Sequence, residues 1–157
     1  MNLLNQFKQP IHREDIMPVI RQGIFMSIVT GILMGAIKLF VYVVFEMEFS
    51  FLLVLLVAYF IVKRIKQSYQ EYHIWYSVIA VFSFVFGFYL MNITYFFGFF
   101  FIQRIDNLPF EYISRLLNPN FTFYFLNPFS GFFFQLEVIL QFIFFMIGAF
   151  YAFIASK

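Results

Sequence analysis

Lys38 is the side chain with the most chemical consequence in this 157-residue chain. It closes the stretch GILMGAIK, residues 31–38, inside a segment apolar enough to lie in lipid. An ammonium at the centre of a bilayer costs about 2.5–3.5 kcal/mol on insertion scales. Lys38 lies seven residues before Phe45, where its apolar segment ends, and so ~10 Å below one boundary. The acid that would answer it is Glu137, five residues into the last apolar segment and ~8 Å deep on the same side. Gln141 follows Glu137 by one turn on the same face. Asn92, seventeen residues past Trp75, reaches the same outer third, ~25 Å from the inner boundary. Lys38, Asn92, Glu137 and Gln141 are therefore expected to form an outer-leaflet polar cluster. Its chemistry has two readings: a contact that pins helix register, or a site for a solute or ion. A lysine that simply snorkels to water is the third.

The elements that must position these groups carry a stripe of small residues. Gly23, Ser27, Gly31 and Gly35 recur every four residues and share a helical face with Lys38. Small residues at that spacing let a second helix backbone approach closely. The last apolar segment has its own polar-then-small stripe, from Glu137 and Gln141 to Gly148 and Ala152. If the two stripes face each other antiparallel, Lys38 meets Glu137 and glycine meets small residues below them. The same stripe would otherwise form a homodimer seam.

Other chemistry is thin. His12, in IHRED, and His73, in EYHIW, stand apart at one membrane boundary and make a poor metal site. Glu14 and Asp15 are adjacent, would diverge on a helix, and read as a solvated face. No serine lies in a G-x-S-x-G context, and there is no HExxH and no phosphate-cradling glycine loop. Glu137 is the only acid away from the edge of an apolar segment, so enzymatic function is disfavoured and no catalytic residue, metal or cofactor is assigned. Lys63, Arg64 and Lys66 form a basic cluster that sets topology and meets anionic headgroups. Asn120-Phe121-Thr122 and Asn92-Ile93-Thr94 match the glycosylation sequon, which in this composition is expected by chance.

Composition places these residues in lipid. The chain is 63% hydrophobic and 11% charged, against roughly a quarter charged in soluble domains. The 29 Phe residues fit an AT-rich coding sequence as well as any mechanism and carry little functional weight. A net charge of +2 gives no argument for nucleic acid. With no cysteine, disulfides and thiolate chemistry are excluded.

Four apolar segments are marked, at about 23–45, 47–62, 74–101 and 132–154, in one membrane domain preceded by a polar segment over 1–22. The fold class is all-α: a polytopic protein with four transmembrane helices. The polar start lacks the pattern of a cleaved signal peptide, so the first segment is expected to stay as an anchor. The second is short and spans by thinning the bilayer or by snorkelling of Lys63 and Arg64. Only Glu46-Met47-Glu48 separates it from the first, which predicts a tight hairpin. Between the third and fourth lies a long outer loop. Pro109 opens a short amphipathic helix there, with Phe110, Ile113 and Leu117 on one face, and Asn118-Pro119 ends it. The next piece, FTFYFL, is either an extended loop or a shallow re-entrant turn.

Lysine and arginine placement orients the chain. Lys8, Arg13, Arg21, Lys63, Arg64, Lys66 and Lys157 fall on one side, Arg104 and Arg115 on the other. This bias puts both termini in the cytoplasm of a multi-pass cell-membrane protein.

The stretch IRQGIFMSIVTGILMGAIKLFVYVVFEMEFSFLLVLLVAYFIVKRIKQ, with a third span ending near FYLMN, resembles small four-helix bacterial integral membrane proteins of unknown function. Those proteins combine a glycine-striped first helix, a tight hairpin, a basic inner loop and a polar outer loop. The resemblance covers about two thirds of the chain and implies a bacterial inner-membrane setting, with no activity. Neither Lys38 nor Glu137 belongs to the pattern that carries it. The expected function is a non-enzymatic membrane component that packs with itself or with a membrane protein partner. The alternatives are a small transporter or channel around Lys38 and Glu137, and a lipid-handling protein using the loop helix.

Overall fold

A computed structural model describes residues 13–46, 50–103, 110–127, 129 and 134–157. Lys8 and His12, the hairpin turn at 47–49, Arg104, Asp106 and Pro109, and the start of the last apolar segment at 132 lie outside the described residues, as does the side chain of Phe110. The described chain is all helical. The long helices are α1 (Arg13–Phe45), α2 (Ser50–Lys66) and α3 (Ile74–Ile102). The α3–α6 connection holds α4 (Phe110–Leu116), α5 (Pro119–Thr122) and a 3-10 turn (Tyr124–Leu126), and α6 (Leu136–Ala155) follows.

Among the described residues, three helices are long and apolar enough to cross a membrane: Glu14–Phe45, Ile74–Ile102 and Leu136–Ala155. α2 has 17 residues, ~25 Å of helix, and falls just short of a hydrocarbon core ~30 Å thick. α1 begins ten residues before the apolar segment expected at 23–45. Glu14 and Asp15 stand in its first turn, where acidic side chains complement the exposed N–H groups. Pro18 lies a turn further on and removes one backbone donor there. α1 stops at Glu46, whose φ of 53° is left-handed and whose N–H bonds the Tyr42 carbonyl at 3.0 Å. This closes the helix by a left-handed cap. α2 runs past the end of the apolar segment 47–62, because Lys63, Arg64 and Lys66 continue it as its last turn. Basic side chains there complement the free carbonyls.

The four long helices form a diamond. α1 packs along α3 and α2, and α6 packs against the same two helices. α1 and α6 thus occupy opposite corners, with α2 and α3 on the short diagonal. The core between them is built from Val57, Ile61 and Ile65 of α2, Tyr76, Phe84 and Phe88 of α3, and Phe145 of α6. Lipid tails are as apolar as these side chains, so close packing rather than exclusion of water holds the bundle.

The α1–α3 seam shows how that packing is reached. A Cβ on Gly31 would stand 2.7 Å from Leu90 Cβ and 2.8 Å from the Gly87 carbonyl. One on Gly35 would meet the Met91 carbonyl at 2.6 Å. Only a hydrogen fits at either position. Ser27 Oγ lies 2.7 Å from the Gly23 carbonyl and 2.6 Å from that of Ser83. Its one proton is shared between its own helix and the neighbour. The small-residue stripe of α1 is therefore used within the chain, against α3, and not against α6 as the antiparallel stripes suggested.

The outer loop folds inward. Phe125 is fully buried, and Thr122 is buried beside it. Phe123 and Phe125 pack on Phe88 at ring distances of 5.8 and 5.6 Å and on Phe145 at 6.0 and 5.4 Å. The stretch FTFYFL is thus a short helical turn inserted between α3 and α6. In α4 the inward residue is Leu116, 5% exposed, while Leu117 is turned outward. Of the face marked by Phe110, Ile113 and Leu117, Ile113 is half-buried and Leu117, just past the helix end, is exposed.

Candidate functional site

Lys38 sits at the outer end of the glycine seam. Gly35, one turn before it, brings the backbones of α1 and α3 together, and the lysine stem then runs along α3. Its Nζ donates to Asn92 Oδ1 at 3.3 Å and lies 4.3 Å from the centroid of the Tyr95 ring. Asn92 is 3% exposed, and its Nδ2 donates to the Phe88 carbonyl at 3.1 Å. That bond orients the amide so that its oxygen faces the ammonium. Tyr95 is itself held edge-on by Tyr42 at 6.0 Å, one turn beyond Lys38. The ammonium is solvated by an amide oxygen and an aromatic face, two groups that stabilise a cation.

The structure brings Lys38 and Asn92 together and leaves the other two members of the expected cluster apart. Glu137 is exposed in the first turn of α6 and forms no ion pair with Lys38. Gln141 is half-buried one turn below it. The two charges share a depth but stand on helices at opposite corners of the diamond. Gly148 and Ala152 are buried packing residues, as expected. The neighbour of Gly148 is α3, however: a Cβ there would lie 2.7 Å from Phe84 Cζ.

Tyr95 was not legible as a partner, because an aromatic in an apolar helix reads as filler. The receiving face of α3 carried a signal that reading the glycines of α1 alone misses. Ser83, Gly87, Leu90, Thr94 and Gly98 recur three and four apart and meet the glycines and Leu39 of α1, a seam at close-packing period.

A second polar cluster lies at the opposite end of the bundle. Tyr69 donates to the Ser156 carbonyl. Ser156 Oγ donates to Ser77 Oγ at 2.9 Å, and Tyr72 Oη lies 2.9 Å from the same atom. These bonds tie the α2–α3 loop to the end of α6. Burial raises the Tyr69 hydroxyl pKa above its ordinary value, and Tyr72 and Tyr76 push the same way. His73, expected to be without a role, caps α3: its Nδ1 accepts from the Trp75 N–H at 3.2 Å. Glu14 is exposed and Asp15 half-buried, and both line an open polar pocket of about 190 Å³ with Gln70 and Glu71. No group of His, Asp and Glu among the described residues has metal-site geometry.

No family model matches the chain, and neither does any curated protein or solved structure. Fold and seam define it as an all-helical protein with three helices suited to crossing a membrane.

Proposed function

We propose that this chain is a multi-pass, non-enzymatic component of a bacterial inner membrane that packs with a second membrane protein or with another copy of itself. α2 makes a fourth crossing, short but extended by Lys63, Arg64 and Lys66 at its end. Both termini face the cytoplasm, on the lysine and arginine bias. The resemblance of residues 20–67 to small four-helix bacterial membrane proteins supports the setting.

One observation carries the functional reading. The charge most able to serve a transported solute, Lys38, is engaged by Asn92 and Tyr95 inside a helix seam. A cation held this way works for helix register. A small transporter or channel using Lys38 and Glu137 has less support, since the two stand on opposite corners of the bundle. With the glycine stripe consumed between α1 and α3, association uses the outward faces and the outer loop.

The test is the protein purified in mild detergent and in liposomes. A discrete homo-oligomer, or one defined membrane protein at fixed stoichiometry, is expected, with no ion flux above empty liposomes. A monomer whose flux disappears in Lys38→Met would overturn the reading in favour of transport.

A further inference from the structure

α2 and α6 lie side by side, and their outward faces leave an apolar groove of about 370 Å³ lined by Leu55, Leu56, Tyr59, Ile147 and Tyr151. From Leu55 to Lys63 the groove and its continuation run ~12 Å along α2, toward the basic end of the bundle. Lys63 follows Tyr59 by one turn, and its Nζ lies 5.8 Å from the Tyr59 ring. Lys66 shares that last turn. Lys157 follows α6, with its Nζ 5.5 Å from the Phe153 ring. Arg64 points elsewhere: its Nε donates to Gln22 of α1 at 3.2 Å. Cation and groove thus share one face, while the neighbouring arginine serves another. Tyr59 and Tyr151, both part-exposed, stand between the apolar floor and the lysines, where amphipathic rings sit at headgroup level.

We propose that this groove binds an anionic phospholipid, with one acyl chain against Leu55, Leu56 and Ile147 and the phosphate received by Lys63. Charge complementarity selects the occupant. Lysines above an apolar interhelical groove favour a lipid of net negative charge over a zwitterionic one, whose own ammonium offsets its phosphate. The proposal rests on the reading that α2 is embedded in lipid.

The test titrates the full chain in mild detergent with phosphatidylglycerol and with phosphatidylcholine of the same acyl chains. Retained lipid is read by native mass spectrometry. One phosphatidylglycerol is expected to be retained at several-fold lower concentration than phosphatidylcholine. Lys63→Gln removes that preference, Arg64→Gln keeps it, and Ile147→Trp, which fills the groove, lowers retention of both lipids. Glycerol phosphate without acyl chains does not compete. Equal retention of the two lipids, equal loss of preference in Lys63→Gln and Arg64→Gln, or competition by glycerol phosphate overturns the site. A membrane-impermeant maleimide on Leu56→Cys separates the two levels. Fast labelling would take α2 out of the lipid and overturn the membrane reading itself, whereas protection without lipid preference overturns only the lipid site.

Discussion

The ammonium of Lys38 lies 4.3 Å from the centroid of the Tyr95 ring, across the interface between α1 and α3. Neither residue marks the other in the sequence. They meet because Gly35 removes the side chain that would hold the two helices apart just below them. A cation over an aromatic ring contributes about 0.5–2 kcal/mol, more as water is excluded. A double-mutant cycle on Lys38→Met and Tyr95→Leu, read by thermal unfolding in detergent, is expected to show coupling of about 1 kcal/mol. The cycle on Lys38→Met and Glu137→Leu is expected to be additive within ~0.5 kcal/mol. Strong coupling in that second pair would mean that α1 and α6 touch, against the diamond arrangement.

The glycine seam predicts position-specific intolerance. Gly31→Val places methyl groups where Leu90 and the Gly87 carbonyl already stand. Backbone atoms cannot swing aside, so the helices must separate, at a cost of about 1–3 kcal/mol or more. Gly148→Ala meets the tip of the Phe84 side chain rather than backbone and is expected to cost less. Ile32→Ala, on the lipid-facing side of the same helix at 51% exposure, serves as the control. Equal losses at Gly31 and Ile32 would show that the seam is not where α1 packs.

The inserted outer turn predicts an opposite pair of effects from neighbouring residues. Phe125→Ala empties a site between Phe88 and Phe145 and is expected to cost about 3 kcal/mol, as for large core aromatics. Thr122 Oγ1 is buried with no hydrogen-bond partner among the described residues. Thr122→Val keeps the shape and removes that unpaired hydroxyl, so stability is expected to rise by about 1 kcal/mol. A drop in the melting temperature of Thr122→Val would reveal a partner for the hydroxyl.

Alkaline pH tests the polar cluster at the other end. The pKa of Tyr69 is raised by burial first, and then by Tyr72 and Tyr76. Below about pH 10, the ordinary tyrosine value, both folded and unfolded chains keep the proton. Above it the unfolded chain ionises first, so folded-state stability falls as pH rises through the raised value. Tyr69→Phe loses the bond to the Ser156 carbonyl, worth ~1 kcal/mol at neutral pH. It is also expected to flatten the loss above pH 10. Denaturant titrations at neutral and alkaline pH compare the two proteins, and an unchanged alkaline slope would remove Tyr69 from the account.

Much of the architecture is written in local chain chemistry. Apolar runs and their charged ends set which segments lie in lipid, because transfer to hydrocarbon is summed residue by residue. The every-fourth-residue glycines define the packing face of α1, because helical periodicity places them in one line. Depth is equally local, and Lys38 and Asn92 are correctly matched on it. Azimuth is not. Which of four helices stands beside α1 depends on how all the faces interlock, and Glu137 at the right depth lies on the wrong corner. The same holds for FTFYFL, too short to span, whose place between α3 and α6 exists only once Phe88 and Phe145 line it. Local chain chemistry sets the helices, three of them suited to crossing a membrane, and the close-packing face of α1. The neighbours come from how the helices pack, which sets Lys38 beside the Asn92 amide and the Tyr95 ring and places Glu137 on another corner. The reason is physical: helix periodicity and transfer energy are short-range sums along the chain, whereas contact between helices is a long-range competition among surfaces.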